Sequence, residues 1–259
     1  MTVKVCIPRA PGTNCDRELE YAFERAGAQV ELVPLARLFE TKEPFGSAGI
    51  VAFPGGFSYG DDVASGKIFA VEVQARLQDS LLRFLDRGGL SIGICNGFQV
   101  LAKAGILPGF TPGKQEATLA HNASGRFEGR WVTLEALACR AEFIPAGARI
   151  PMPSAHGEGQ FLAFDDATLR RIVDEKLVAF RYVTRDGEAP APYPDNPNGS
   201  VLGIAGICDP RGRVMGMMPH PERNIAFHHD PEWTRRSRSE EGAGMVIFRR
   251  LVEQARRGE

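Results

Sequence analysis

The sequence predicts an α/β fold: a mostly parallel central sheet flanked by helices, with additional short antiparallel strands in the second half. Two observations carry this. Up to residue 105, strand-like and helix-like stretches alternate, the order that builds parallel strands joined by right-handed crossovers. Beyond it come short β-like runs separated by turn residues. A length of 259 residues is ample for one large core, and no stretch reads as a linker, so residues 1–259 are expected to form a single domain.

Each element has its own signal. "VKVCI" (3–7) is an apolar run of strand length, and "DRELEYAFERAG" (16–27) a helix with Asp16 near its start and Gly27 past its end. "AQVELV" (28–33) and "AGIVAF" (48–53) are the next strands. Phe69, Val73, Leu77, Leu81 and Leu85 recur every fourth residue, one apolar stripe on a helix within 67–87. "LSIGI" (90–94) is a strand, and "NGFQVLAKAG" (96–105) a helix closed by Gly105. In the second half, "RWVTLEAL", "RIPMPSAHGEGQFLAF", "VAFRYVT", "VLGIAGICD" and "VMGMMP" read as β-like. "DDATLRRIVD" (165–174) and "GAGMVIFRRLVEQARR" (242–257) read as helices. "APAPYPDNPNGS" (189–200) and the charged "HHDPEWTRRSRSEEG" (228–242) read as surface loops.

Composition excludes several classes. Lys and Arg total 31 against 32 Asp and Glu, which leaves no basic field for nucleic acid or an anionic membrane. No apolar run approaches the roughly 20 residues of a membrane span, and the N-terminal apolar stretch is too short for a signal peptide. The five cysteines, Cys6, Cys15, Cys95, Cys139 and Cys208, are scattered with no CxxC pair. Neither a disulfide framework nor a zinc site is expected, and the expected compartment is the reducing cytoplasm. His228 and His229 precede an aspartate but have no second ligand cluster, so they are read as solvated surface and no metal is expected.

Three short stretches carry chemistry. In Gly93-Ile94-Cys95-Asn96-Gly97 a strand stops at a cysteine and a helix starts after it, the spacing of a nucleophile elbow with sulfur in place of oxygen. The helix N-terminus favours thiolate, and the Asn96 N–H is free to donate to an oxyanion. Gly55 and Gly56, after the third strand, can bring backbone N–H groups close to a ligand at the same sheet edge. "GMMPHPERN" (216–224) supplies His220 and Glu222 two residues apart, a base and a carboxylate to orient it. Each has a plainer reading: a buried free cysteine, an ordinary Pro-Gly-Gly turn, a surface histidine.

Taken together, these residues resemble the class I glutamine amidotransferases, which have a flavodoxin-like sheet. Nearly the whole chain is similar to the glutaminase subunits of phosphoribosylformylglycinamidine synthase, the PurQ type. "PGTNCDRE" (11–18), "PGGFSYGDD" (54–62), "GICNGFQVL" (93–101), "HNASGRFEGRWV" (121–132), "PSAHGEGQF" (153–161) and "MPHPERN" (218–224) carry that closer match. The resemblance implies catalysis by Cys95, His220 and Glu222 and release of ammonia from glutamine through a thioester. It implies glutamine contacts from Gly55, Gly56, Asn96, Gln99, Ser154 and His156. It also implies no cofactor in this chain, with ATP and Mg in a separate synthetase subunit (PurL type) and a small accessory subunit (PurS type) beside it. The chain carries no Walker-type loop of its own. The segment 228–242 is longer than the family pattern requires. The alternatives are an amidotransferase serving another acceptor and a cysteine hydrolase of the DJ-1/PfpI kind. The latter would put a carboxylate near the first strand and lack the late His-x-Glu.

Overall fold

The structure, a computed structural model, describes residues 2–235 and 241–258. The first apolar runs become β1 (Lys4–Arg9), β2 (Gln29–Pro34), β3 (Ile50–Phe53) and β4 (Leu90–Ile94). All five residues of β4 are buried, as befits a strand covered on both faces. These strands are parallel, in the order β2-β1-β3-β4. The crossover from β1 through α1 (Asp16–Arg25) moves one way along the sheet, and that from β3 to β4 moves the other way. Right-handed crossovers therefore put their helices on opposite faces. The reversal lies between β1 and β3, where ligand crevices of such sheets open.

The helix expected within 67–87 is α3 (Lys67–Glu72) and α4 (Gln78–Asp86), joined by a π turn at Val73–Leu77. A strict four-residue repeat outruns the 3.6-residue α turn, and the wider π turn takes up the difference. Phe69, Val73, Leu77, Leu81 and Leu85 all stay buried as a result. α5 (Asn96–Lys103) is buried along its whole length against β4.

The second half supplies β6 (Glu128–Ala136), β7 (Arg149–His156), β9 (Val178–Val183), β10 (Ile204–Cys208) and β11 (Val214–Met217). β11 lies parallel to β4 and extends the parallel set; β10, β9, β6 and β7 follow as antiparallel neighbours in one nine-stranded sheet. The run 149–164 is not one strand. It breaks at Gly157, and β8 (Glu158–Ala163) leaves the large sheet to pair with β5 (Ala117–His121). Helices α6 (Asp166–Asp174), capped by the Asp165 side chain on Thr168 N–H, and α7 (Met245–Gly258) lie where the patterns put them. Phe248 of α7 meets Phe23 of α1 edge to face at 5.1 Å.

Two elements have no periodic signal long enough to read: β5 and the six-residue α2 (Leu35–Glu40). Residues 189–200 contain no helix or strand. In the charged segment, 227–229 and 233–235 form single 3-10 turns. Residues 236–240, on which the reading of that segment's excess length falls, lie outside the described residues.

Candidate active site

β3, β4 and β11 are adjacent and parallel, with Phe53 opposite Gly93 and Met217 opposite Ile94. Their carboxyl ends release the Gly55-Gly56 turn, Cys95 and the His220 segment at one edge. Three stretches far apart in sequence thus meet because the sheet places their strands side by side.

Cys95 carries the strain of the strand–helix turn, with φ +52° and ψ −107°. A non-glycine residue held there is costly and marks a site over-determined by its surroundings. The flanking glycines serve space, not conformation. A Cβ on Gly97 would lie 2.1 Å from the Phe53 carbonyl oxygen, and one on Gly93 2.6 Å from that of Gly97. α5 can seat its N-terminus on β3 and β4 only without those side chains. The Cys95 N–H donates to Met217 O at 2.8 Å, and its thiol faces the Ala155 carbonyl at 3.7 Å. Among the described residues, nothing accepts from the N–H of Asn96 or Gly56.

His220 and Glu222 form a buried pair, Nδ1 to Oε1 at 2.6 Å. Among the described residues, His220 Nε2 and Glu222 Oε2 are buried without a nitrogen or oxygen partner, and the Nε2 side of His220 faces the Cys95 sulfur. Burial works against a charged imidazole here. The Glu222 carboxylate and the Cys95 sulfur outweigh it, lifting the His220 pKa to about 10. The site therefore favours imidazolium facing sulfur.

A cavity of about 110 Å³ opens over this group. Cys95, His220, Gly56, Gln99 and His156 line it, and so do Asn14, Cys15, Asp61, Phe127 and Arg223. A larger cavity, about 530 Å³, lies at the other end of β4 among Arg140, Arg211, Arg213 and Arg250, remote from Cys95. The remaining expected residues sit in the second rank. Gly55 packs behind the cavity, where a Cβ would meet His220 Cε1 at 2.9 Å, and its carbonyl accepts the Cys15 N–H at 3.3 Å. Asn96 is buried, with its side chain bonded to Ser58, Asp61 and Gln99. Ser154 stands behind His156, Oγ to Nε2 at 2.9 Å, and is not in the cavity wall. His156 Nδ1 meets Asn122 Oδ1 at 3.0 Å, and burial beside the charged His220 lowers its pKa to about 4. It is therefore neutral at neutral pH.

Asn14, Cys15, Asp61 and Arg223 were not singled out from sequence, although three of the motif stretches contain them. Nothing local marks them; the meeting of the loops after β1, β3 and β11 does. Cys15, His220 and Glu222 bring ligand-type atoms within 4.8 Å of one another. The Arg223 guanidinium, 3.0 Å from Cys15 Sγ, already supplies a cation there, which disfavours a metal ion. His228 is exposed, and neither it nor His229 lines the cavity.

Comparisons with known proteins agree with this geometry. A family model described as CobB/CobQ-like glutamine amidotransferase domain matches residues 2–254. The phosphoribosylformylglycinamidine synthase subunit PurQ of Dehalococcoides mccartyi is 43% identical over 255 residues, 98% of each chain. Its counterpart in Methanococcus maripaludis is 40% identical over 90% of this chain and 87% of that one. A chain in the structure of PurLQS from Thermotoga maritima superposes with a TM-score of 0.72 at 29% identity, covering 98% of this chain and 99% of that chain.

Proposed function

The chain belongs to the CobB/CobQ-like glutamine amidotransferases, among the PurQ-type subunits of phosphoribosylformylglycinamidine synthase, and from that premise we propose how its residues hydrolyse glutamine. As the glutaminase subunit of that synthase, it works in purine biosynthesis. The observation that carries the residue assignment is Cys95, held at φ +52° on the strand–helix turn beside the buried His220–Glu222 pair.

The Cys95 thiolate attacks the side-chain amide carbon of glutamine. The C–S bond forms as the carbonyl electrons move onto oxygen. The N–H of Asn96, joined by that of Gly56 once the Gly55–Gly56 peptide turns toward the cavity, holds that oxyanion. His220 imidazolium gives its Nε2 proton to the amide nitrogen, the C–N bond breaks, and ammonia leaves a γ-glutamyl thioester. Water then attacks the thioester, with His220 accepting its proton, and glutamate departs. Glu222 fixes the imidazole through Nδ1 and stabilises its charge. Of the carboxylates that follow β1, Asp16 is paired with Arg9 and Glu18 with Arg223, so both are engaged by arginines, which argues against the hydrolase alternative.

Ammonia passes to a separate ATP- and Mg-dependent synthetase subunit, which converts formylglycinamide ribonucleotide to formylglycinamidine ribonucleotide; a small accessory subunit completes the assembly. Support for the complex comes from the PurLQS likeness. The cytoplasm fits the free cysteines, and no helix among the described residues is long and apolar enough to cross a membrane. The test is ammonia release from glutamine by the purified chain, alone and with its synthetase. Release in neither sample, or release undiminished in Cys95→Ala, would overturn the reading.

A further inference from the structure

α5 is buried all round, yet three of its residues are polar: Asn96, Gln99 and Lys103. Their i, i+3, i+7 spacing puts them on one face. That face meets the segment 58–66 and the turn between β7 and β8. Lys103 Nζ donates to Ser65 O at 2.5 Å and to Glu158 Oε2 at 3.2 Å. Glu158 Oε1 accepts the Ser65 N–H at 3.1 Å, and its backbone oxygen accepts Gln99 Nε2 at 2.5 Å. Asn96 Nδ2 donates to Gln99 Oε1 at 3.0 Å and to Asp61 Oδ1 at 3.3 Å. Ser65 Oγ donates to Asp61 Oδ2 at 2.8 Å and closes the ring.

The charges in this ring do not balance. Lys103 answers Glu158, while Asp61 is bonded by neutral donors only. Among the described residues, Asp61 is also the one carboxylate lining the cavity. Arg223, the one guanidinium there among the described residues, is already paired with Glu18 at 3.0 Å. An asparagine would complete the ring without the desolvation cost of a half-buried charge, so the ring alone gives no reason for a carboxylate. Asp61 is moreover held at φ +56°, a strained position for a non-glycine residue. Its oxygens keep unused lone pairs. It stands one hydrogen bond from Asn96, the neighbour of Cys95.

An amino acid whose side-chain amide reaches Cys95 carries its α-ammonium a short methylene chain away. We propose that Asp61 receives the α-ammonium of the substrate and thereby selects free α-amino acids from other primary amides. This rests on the glutaminase reading and names its specificity residue.

The test uses the full chain with its synthetase subunit. Ammonia release is measured on L-glutamine and on its deamino analogue, glutaramate. Asp61→Asn should raise KM for L-glutamine about 10- to 100-fold, the size of a charge-assisted hydrogen bond, with kcat little changed. Its kcat/KM on glutaramate should match wild type, so the preference for L-glutamine collapses; Asp61→Glu should restore part of it. An unchanged KM for L-glutamine, or equal losses on both substrates, would overturn the proposal. Calorimetry gives a readout free of turnover. Wild type should bind L-glutamate at least about tenfold more tightly than glutarate, and Asp61→Asn should lose that difference. Equal wild-type affinities would sink the anchor even if hydrolysis proceeds. A chain that releases no ammonia would sink the glutaminase reading, while the calorimetric comparison would still judge Asp61.

Discussion

Cys95 combines a strained strand–helix turn, a helix N-terminus aimed at it and the neighbouring His220 imidazole, the setting of a cysteine nucleophile. A glutamine-analogue electrophile should therefore alkylate it first. The other thiols rank by environment. Cys15 shares the cavity, but burial and then the Glu222 carboxylate push its thiol up; burial pushes Cys6 up to about 12. Cys208 is raised by its hydrogen bond with Cys139 and by burial, and the same bond lowers half-buried Cys139, which should react second. Mass spectrometry showing Cys15 labelled as fast as Cys95 would contradict this order. Within the proposed triad, His220→Ala should stop turnover as completely as Cys95→Ala, while Glu222→Gln should leave a rate reduced about 10²- to 10⁴-fold. The pH profile follows the same pair. A histidine pKa raised to about 10 keeps the imidazolium through neutrality and loses it as pH rises through that value. kcat/KM should hold from neutral pH upward and fall near pH 10, and Glu222→Gln should move that limb toward neutrality.

At the scale of the element, the seat of α5 on β3 and β4 is the most demanding contact near the site. Gly97→Ala would press a methyl against the Phe53 carbonyl, backbone that cannot swing aside. It should cost about 1–3 kcal/mol in chemical denaturation and lower activity by shifting Cys95. The Pro54-Gly55-Gly56 turn behaves differently. Its Gly55 carbonyl makes one long bond, 3.3 Å, to the Cys15 N–H, and Gly56 sits at φ +128°, so the peptide between them can flip at little steric cost. An oxyanion donor absent until that flip would hold the isolated chain roughly 10²- to 10³-fold below the complex. Steady-state ammonia release should show kcat rising by that factor with the synthetase and its ligands, with the glutamine KM little changed. Equal kcat in both samples would rule the flip out.

At the scale of the whole molecule, the polar core ties stability to pH. His156 is buried neutral, its pKa lowered from the ordinary histidine value to about 4 by burial and by His220. As pH falls below about 6.5 the unfolded chain takes up a proton that the folded one refuses until about 4. Up to about 3 kcal/mol is lost across that window. Thermal unfolding of wild type between pH 7 and pH 4 should show the decline, and His156→Gln should flatten it. Much of this architecture is legible in sequence. The apolar runs that became β1, β3, β4 and β11 are continuous because both sheet faces are covered, whereas the edge strand β2 alternates, and the Phe69–Leu85 stripe is periodic because one helix face is buried. Cys95 is legible because glycines must flank it for α5 to pack. α2 and β5 are too short to show a period, and the break of the 149–164 run at Gly157 is a choice between two sheets that no local preference decides. By itself, then, the sequence determined the alternation of elements, the thiol at the strand–helix turn and the His-x-Glu pair, since each is fixed by spacing along the chain. Only the tertiary structure decided that Asn14, Cys15, Asp61 and Arg223 share a cavity with Cys95, that Gly56 faces it while Gly55 packs behind, and that Ser154 stands behind His156. Those outcomes depend on which strands lie side by side, and strand order is set by burial summed over the whole sheet.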